Sequence, residues 1–480
     1  MIRKIKDFLL KNLKTEQTIV KNSFWLALSR ILGSIFRAVL VILSFRILGP
    51  EFQGIFYLAM NFVLIFSVIP DFGMVPIFIR SLIEKKEEKR KIITDFIFSF
   101  IFFFFISLII ALIVKDFVLK NELSKKIFYV LIIFVFFDIL REILYALFRA
   151  KERMEYQALS HSFTNFVILI SGLYFLLNFP NPYFLSYAYL IGGFLGFLLT
   201  FFLLRKDLIF NYLKYLELKA PLKIIEKSWA IGIANFIFLL ITYIDTLILG
   251  YFKNVKEVGI YNSVVKINEV LFAIPFALAS AAFPAITKKL KNQEGVEDVL
   301  EFGLKFALFI SLPIFWGVFF LSKDFINFLY GKEYLDGDLA LKLISFSIPF
   351  NFLTLILIDT LIALDKRKEL LKFDFLTLLI NVILNIIFIP YFGFFAASLI
   401  TSISSFIFFI FSFLLVKKFI KIHLTHLKIP KYLIISFLIN LIFIFIPINF
   451  ILKIILIALV YFGFMYLIKE EIMIRFLKVG

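Results

Sequence analysis

The sequence predicts an all-α polytopic membrane protein of about 14 transmembrane helices, and three observations carry that prediction. Of its 480 residues, 62% are hydrophobic and the mean hydropathy is +0.99, which is more apolar surface than a soluble fold of this length can bury. Uncharged runs such as 96–114 and 392–416 are long enough to cross a bilayer. Most of the 52 Lys and Arg residues lie between such runs, where water and lipid head groups are within reach.

A window of about 20 residues places the helices in chain order. The predicted spans are 22–48, 53–79, 93–114, 126–148, 157–178, 184–204, 225–250, 257–285, 299–322, 339–363, 370–390, 392–416, 431–449 and 451–469. Over residues 1–14, apolar side chains recur at helical spacing among basic ones, which predicts an amphipathic helix lying on an anionic leaflet. The first span carries Arg30 and Arg37 and lacks a cleavage motif, so we expect no signal peptide.

The basic residues predict the orientation of the chain. We assign the segments between spans alternately to the two sides of the membrane, starting from the N-terminus. On this assignment, 36 of the 52 Lys and Arg residues lie on the same side as the N-terminus and 11 lie on the opposite side. Positive charge is retained on the cytoplasmic side of membrane proteins. We therefore expect both termini to be cytoplasmic in a multi-pass protein of the cell membrane, and we attribute the formal charge of +18 to orientation and anionic lipid rather than to a nucleic-acid partner.

An internal repeat predicts the domain organisation. Leu48-Gly49 followed by Gly54 recurs as Leu249-Gly250 followed by Gly259, and further markers keep the same order at similar offsets. Each unit holds six spans, an even number, so the two copies are parallel repeats. The predicted parts are an N-lobe (1–216, with spans 1–6), a C-lobe (217–420, with spans 7–12) and two additional C-terminal helices (421–480).

Several chemistries are excluded or not expected. The chain has no cysteine, which excludes disulfides, thiolate metal sites and a cysteine nucleophile. It has three histidines, and because no carboxylate or thiolate converges on them in the sequence we expect no metal site. A Gly-rich phosphate loop with Lys-Ser/Thr is absent, so direct coupling to ATP is not expected. We expect no cofactor and no enzyme activity.

The motifs between the spans resemble a known family. The likeness covers essentially the whole chain and rests on these segments: 46–54 (RILGPEFQG), 70–74 (PDFGM), 148–156 (FRAKERMEY), 243–245 (YID), 258–261 (VGIY), 283–286 (FPAI) and 391–393 (YFG). In this order and spacing they resemble the polysaccharide transporter family, the Wzx-like O-antigen flippases of the multidrug/oligosaccharidyl-lipid/polysaccharide exporter superfamily.

The resemblance implies a function. Two lobes would alternate between inward-open and outward-open states and so translocate a polyprenyl-(pyro)phosphate-linked oligosaccharide for cell-surface polysaccharide or glycan assembly. The implied partners are this lipid-linked oligosaccharide, membrane lipids and H⁺ or Na⁺ as coupling ion, and we expect a monomer. Three alternatives stay open: an ion-coupled multidrug or organic-cation exporter on the same fold, a membrane-embedded glycan polymerase or ligase, and a scramblase or scaffold without directed transport.

Arg30 and Arg37 are the candidate substrate-binding residues of the first lobe. An Arg at mid-membrane costs about 2.5–3.5 kcal/mol on insertion, so it usually faces a wet cavity or a partner. Seven residues are nearly two helical turns, so both side chains point the same way, and arginine binds phosphate in a bidentate manner. In the alternative, Arg30 reaches the interface and Arg37 pairs with an acid such as Asp138.

Other charges within spans are assigned smaller roles. Lys266, with Glu269 three residues later, is the candidate that the resemblance implies for the head group in the second lobe. Asp245 or Glu269 is the candidate for ion coupling, and the alternative is that the three only neutralise one another. Lys305 is near enough to a span end to reach the interface.

A last group, formed by Asp138, Arg141 and Glu142, shares one face of the fourth span. Its positions i, i+3 and i+4 favour a structural ion-pair cluster.

Overall fold

The computed structural model describes residues 15–209, 212–291 and 295–478, and these are helical throughout, with short connections and no strand. By its internal contacts the chain divides into two compact units, Met1–Gly259 and Ile260–Gly480. The amphipathic helix predicted over residues 1–14 lies outside the described residues. The predicted lobe boundaries at 216/217 and 420/421, the parallel repeat and the cytoplasmic placement of the termini stay predictions.

Eight helices lie wholly within the described part of the first unit. They are α1 (Thr15–Phe66), α2 (Val68–Asp71), α3 (Met74–Glu84), α4 (Lys89–Val118), α5 (Glu122–Ala150), α6 (Met154–Asn178), α7 (Pro182–Leu208) and α8 (Ala220–Phe252). Short 3₁₀ turns at Lys86–Glu88 and Tyr212–Tyr215 connect some of them. Helix α9 (Val255–Leu271) begins in this unit and continues into the second.

The second unit continues the same architecture. Its helices are α10 (Ala273–Lys291), α11 (Glu297–Phe320), α12 (Ser322–Leu329), α13 (Asp338–Ser345), α14 (Ser347–Ala363), α15 (Arg367–Lys417), α16 (Ile429–Ile444), α17 (Phe450–Leu467) and α18 (Glu471–Lys478). A 3₁₀ turn at Leu424–Leu427 precedes α16. The segment before this turn holds His423, and the turn itself holds His426.

The prediction of a polytopic all-α membrane protein is confirmed. Ten of the described helical stretches are long and apolar enough to cross a membrane. Two of these, Gln17–Glu84 and Arg367–Lys417, each contain two of the predicted spans. Large apolar side chains are exposed on many of them, and Phe105 and Phe117 of α4 are more than half exposed. In a membrane chain such a surface faces acyl chains rather than water.

A glycine with positive φ interrupts each of the two longest described helices, and two left-handed residues separate α2 from α3. Gly49 has φ 74° inside α1, directly before Pro50, and Gly393 has φ 56° inside α15. Between α2 and α3, Phe72 and Gly73 both adopt left-handed backbone conformations. Positive φ is accessible to glycine at little cost, so the Gly-Pro and Tyr-Phe-Gly motifs of the sequence mark true breaks between neighbouring spans.

The two glycines that the internal repeat pairs lie in contact with opposing backbone. A Cβ on Gly54 would come within 1.7 Å of the Val255 carbonyl oxygen, and a Cβ on Gly259 would come within 1.8 Å of the Pro50 carbonyl oxygen. Only glycine permits so close an approach of two main chains. The part of α1 that follows Gly49 and the start of α9 therefore cross with their main chains in direct contact.

Candidate functional site

The candidate site of the first unit lies along one face of α1, where Arg30 and Arg37 are both exposed. Neither guanidinium forms a hydrogen bond or an ion pair with any of the described residues. The glycine between them, Gly33, is buried against α6, because a Cβ there would come 2.8 Å from His161 Cε1 and 3.1 Å from Asn165 Nδ2. The arginines thus flank the line along which α1 packs on α6.

A second cation lies in the interior of the same unit. Arg141 of α5 is 4% exposed and donates one Nη to Asp138 Oδ1 at 2.5 Å and the other to the Thr164 hydroxyl of α6. Its Nε is buried without a hydrogen-bond partner among the described residues. Glu142 is 3.8 Å from the guanidinium. The prediction that Asp138, Arg141 and Glu142 form one ion-pair cluster is confirmed.

His161 links these two groups of charges. It lies within electrostatic range of both Arg37 and Arg141, and Asn165, one turn later, donates to the His161 carbonyl at 2.8 Å. Arg37, Arg141 and His161 therefore make one corner of this unit rich in basic groups. From the sequence we predicted no role for His161 in the site. His161, Thr164 and Asn165 are spaced i, i+3 and i+4 on an apolar helix, so they share one face, and this spacing could have indicated a polar site.

The alternative in which Arg37 is neutralised by Asp138 is not what the structure contains. Asp138 is bonded to Arg141 instead, three residues along its own helix. Arg37 forms no ion pair with Asp138 or with any other residue of the described ranges. The assignment of Arg30 and Arg37 to the substrate stays a prediction.

In the second unit, Lys266 of α9 is engaged by an acid. Its Nζ lies 2.8 and 2.7 Å from the two carboxylate oxygens of Glu269, an i, i+3 pair on a partly exposed face. Asp245 of α8 is 3% exposed and belongs to the first unit. The expected pairing of Lys266 with Glu269 is confirmed, while the substrate role of Lys266 and the ion-coupling roles of Asp245 and Glu269 stay predictions.

The expectation that Lys305 reaches the interface stays a prediction, and the structure places two acids that follow α17 beside its side chain. Its side chain is 7% exposed and its Nζ lies 2.5 Å from Glu471 and 3.6 Å from Glu470. Glu470, fully buried, also accepts hydrogen bonds from Lys431 and the Tyr432 hydroxyl. These partners come from segments more than 120 residues away, which the apolar pattern of the span does not reveal.

The expectation that no carboxylate converges on His423 and His426 is wrong. Glu301 of α11 lies with one carboxylate oxygen 3.1 Å from His423 Nδ1 and the other 2.6 Å from His426 Nδ1. The glutamate precedes the histidines by more than 120 residues, and only the folding of the connection after α15 onto α11 brings the three together.

Similarity to known proteins identifies the family. A family model described as polysaccharide biosynthesis protein matches residues 19–290, more than half of the chain. The chain belongs to this family. The resemblance that the inter-span motifs indicated is thereby confirmed. A second family model, MatE, matches residues 230–387 of the chain.

Individual relatives agree with the family. The chain is 24% identical over 165 residues to the probable low-salt glycan biosynthesis flippase Agl15 of Haloferax volcanii, a match that covers 34% of this chain and 35% of Agl15; it thus spans about a third of that relative's length. It is 22% identical over 399 residues to the capsular polysaccharide biosynthesis protein CapF of Staphylococcus aureus, covering 81% of this chain and 97% of CapF.

A solved structure shares the fold. The inward closed conformation of the lipid II flippase MurJ superposes with a TM-score of 0.78 at 20% identity and covers 94% of this chain and 99% of that one. The helices of this family member therefore follow the arrangement of the MurJ fold. The prediction of 14 helices in a multi-pass protein of the cell membrane is confirmed.

Proposed function

We propose that the protein is a flippase that translocates a polyprenyl-(pyro)phosphate-linked oligosaccharide across the cell membrane by alternating access. The names of its relatives support this proposal, since Agl15 is described as a glycan biosynthesis flippase and MurJ as a lipid II flippase. The fold alone would also suit other transporters. The choice of substrate therefore rests on the chemistry of the charged side chains.

The observation that carries the proposal is the pair of exposed arginines without an acidic partner in the described chain. Keeping Arg30 and Arg37 within a span costs about 2.5–3.5 kcal/mol each, and no internal ion pair among the described residues offsets that cost. A phosphate or pyrophosphate would offset it, because the planar guanidinium donates hydrogen bonds to two phosphate oxygens at once. Two such groups, two turns apart on one helix face, suit a diphosphate.

In this proposal Arg30 and Arg37 of the first unit bind the phosphate groups, and Lys266 and Glu269 of the second unit regulate transport. Lys266 becomes available to an anionic head group when Glu269 is protonated or binds Na⁺, because the carboxylate then releases its ion pair. Asp245 is the other candidate for this ion. Moving one charge through the membrane potential is worth about 2.3 kcal/mol per 100 mV, which is enough to bias a two-state equilibrium. We expect the flippase to act as a monomer, because one chain carries both candidate sites.

Transport in proteoliposomes tests the proposal. The purified chain is reconstituted with a fluorescent polyprenyl-diphosphate-sugar, and translocation is scored by quenching from outside with and without an imposed potential. We expect the wild type to translocate the lipid and the Arg30→Ala/Arg37→Ala double variant to lose that activity. The variant Lys227→Ala, which removes a charge from an exposed position of α8, serves as control. Wild-type flux in the double arginine variant contradicts the proposal.

A multidrug exporter is the second candidate, and the MatE match over residues 230–387 is the observation that favours it. Organic cations bind where carboxylates are free, whereas the exposed charges on α1 are positive. We therefore expect no efflux of cationic dyes from cells or vesicles that contain the chain. Dye efflux that survives the double arginine substitution would favour this candidate instead.

A further inference from the structure

Two of the three histidines of the chain share one buried carboxylate. His423 and His426 lie in the connection between α15 and α16, and Glu301 lies in the second turn of α11. The ligand atoms of the three side chains, one imidazole nitrogen from each histidine and one carboxylate oxygen, all lie within 4.8 Å of one another. All three residues belong to the second compact unit.

The carboxylate is held in place from two directions. The Glu301 side chain is 10% exposed, and the backbone N–H of His423 donates to its Oε1 at 2.6 Å. Its Oε2 faces His426 Nδ1 at 2.6 Å. A ligand that cannot rotate away loses little entropy when a cation binds it, which is a requirement for a preorganised site.

The two imidazoles, in contrast, are open to water. Their side chains are 59% and 61% exposed, and the ring centroids are 5.0 Å apart. A cation can therefore reach the three ligand atoms from solvent. With three protein ligands, the bound cation would have a fourth coordination position left for a water molecule.

The ligand set fits one class of ion. Two imidazole nitrogens and a carboxylate oxygen suit divalent transition metals, Zn²⁺ in particular, at about 2.0–2.2 Å from each ligand atom. Tetrahedral angles then separate the ligand atoms by roughly 3.4 Å. His423 Nδ1 and Glu301 Oε1 are already 3.1 Å apart, and since no two ligand atoms are more than 4.8 Å apart, the exposed ring of His426 needs to move by about 1.4 Å at most.

We propose that Glu301, His423 and His426 form a binding site for a divalent transition-metal ion, with Zn²⁺ as its best-fitting occupant. The ion would connect the segment after α15 to the beginning of α11. One turn further along α11, Lys305 already connects the same helix to Glu470 and Glu471 after α17. The metal would therefore complete the attachment of the C-terminal helices α16 and α17 to α11.

The neighbouring charges limit the affinity. Lys417, Lys418 and Lys421 precede the histidines in the same connection, and their positive charge opposes a second cation. Lys428 is largely compensated because it lies 3.4 Å from Glu470. We therefore expect a site that exchanges its metal with chelators rather than one that retains it through purification.

Metal binding to the full chain tests the proposal. The protein is purified in detergent with a tag that contains no histidine, stripped with a chelator, and titrated with Zn²⁺ against a fluorescent zinc indicator. Co²⁺ absorption provides a second reading, because tetrahedral Co²⁺ absorbs far more strongly than the aqueous ion. The variants are Glu301→Gln, His426→Asn and His423→Asn/His426→Asn. The controls are Asp298→Asn, an exposed acid one turn away on α11, and His161→Asn.

We expect one equivalent of Zn²⁺ per wild-type chain, an affinity at least about tenfold lower in His426→Asn, and no specific binding in the double histidine variant. Both controls keep the wild-type equivalent. Zn²⁺ also raises the thermal unfolding midpoint of the wild type and not of the double variant. Because His426 is exposed, its variant reports on binding even where the buried Glu301→Gln fails to fold. Equal Zn²⁺ binding by the wild type and the double histidine variant, or no binding by the wild type, overturns the proposal.

Discussion

Both compact units pair their buried cations, Arg141 with Asp138 in the first and Lys305 with Glu471 in the second, but they differ in the cations that lie nearer the surface of their predicted spans. In the first unit Arg30 and Arg37 are exposed and form no ion pair with the described residues. In the second unit Lys266 lies 2.7 Å from Glu269 and Lys305 lies 2.5 Å from Glu471. A cation already held by a carboxylate attracts a phosphate weakly. On the proposed function, we expect the exposed arginines of the first unit to attract an anionic cargo more strongly than the paired lysines of the second unit.

The largest effect is expected where the paired cations are buried. Substituting Glu470 by Gln leaves the buried Lys305 with one acid instead of two and removes the charge that Lys431 contacts. Breaking a buried ion pair from one side costs about 3–5 kcal/mol. We expect a clearly lower thermal unfolding midpoint for the detergent-solubilised variant. An unchanged midpoint would show that this cluster is not a structural one.

The pH dependence of the same cluster follows from its geometry. Burial opposes ionisation of Glu470, but hydrogen bonds from Lys431 and Tyr432 and the charge of Lys428 outweigh it and lower its pKa to about 2. A group with a lowered pKa stabilises the fold fully above its unfolded value of about 4.5 and loses this contribution as the pH falls towards 2. Wild type and Glu470→Gln should therefore differ in unfolding midpoint by a constant amount above about pH 5, and by less below it.

The next effect concerns the cations without acidic partners. Arg37→Ala removes a charged contact to phosphate that is worth about 1.5–3 kcal/mol, or roughly 10–150-fold in flux. Arg37→Lys keeps the charge and loses the bidentate geometry, so it should recover part of the flux. Translocation in proteoliposomes measures both, at protein amounts matched by size-exclusion chromatography. Equal flux in the alanine and lysine variants would show that charge plays no part at this position.

A smaller effect is expected at the paired cation of α9. Lys266→Ala loses a partly exposed ion pair, so we expect flux to fall by less than in Arg37→Ala, by about fivefold for a contact near 1 kcal/mol. Glu269→Gln breaks this ion pair and removes the candidate ion-binding carboxylate, so the flux should lose its dependence on H⁺ or Na⁺. A larger loss in Lys266→Ala than in Arg37→Ala would reverse the assignment of roles between the two units.

The smallest effect belongs to an ion pair that faces solvent. Arg80 and Glu84 of α3 are 2.7 Å apart, with side chains 74% and 55% exposed. Such pairs contribute about 0–1 kcal/mol. Arg80→Ala should change neither the unfolding midpoint nor the flux measurably, which sets the baseline against which the other substitutions are judged.

Most of the fold follows from local rules that the sequence displays. Apolar length gives the spans because a helix must satisfy its own backbone in lipid. The breaks follow from Gly49 beside Pro50 and from Gly393, where positive φ is needed. Ion pairs within one helix, such as Asp138 with Arg141, follow from the i, i+3 spacing.

Contacts between distant segments are what the sequence does not reveal. Nothing in the run around Glu301 indicates that two histidines more than 120 residues later will cover it. Likewise, the position of Lys305 near a span end does not reveal that the segment after α17 places Glu470 and Glu471 beside it. A carboxylate or ammonium in a span has to find a partner somewhere, but hydropathy does not say where.

The crossing at Gly54 and Gly259 constrains how this sequence can change over evolutionary time. Because each Cα sits against a carbonyl group of the opposite helix, any side chain at either position would force the two main chains apart, and no rearrangement of neighbouring rotamers can make room. The surrounding apolar residues are free to drift. We expect descendants of this gene to keep both glycines, so substitutions at either position should be depleted from a mutational library selected for transport.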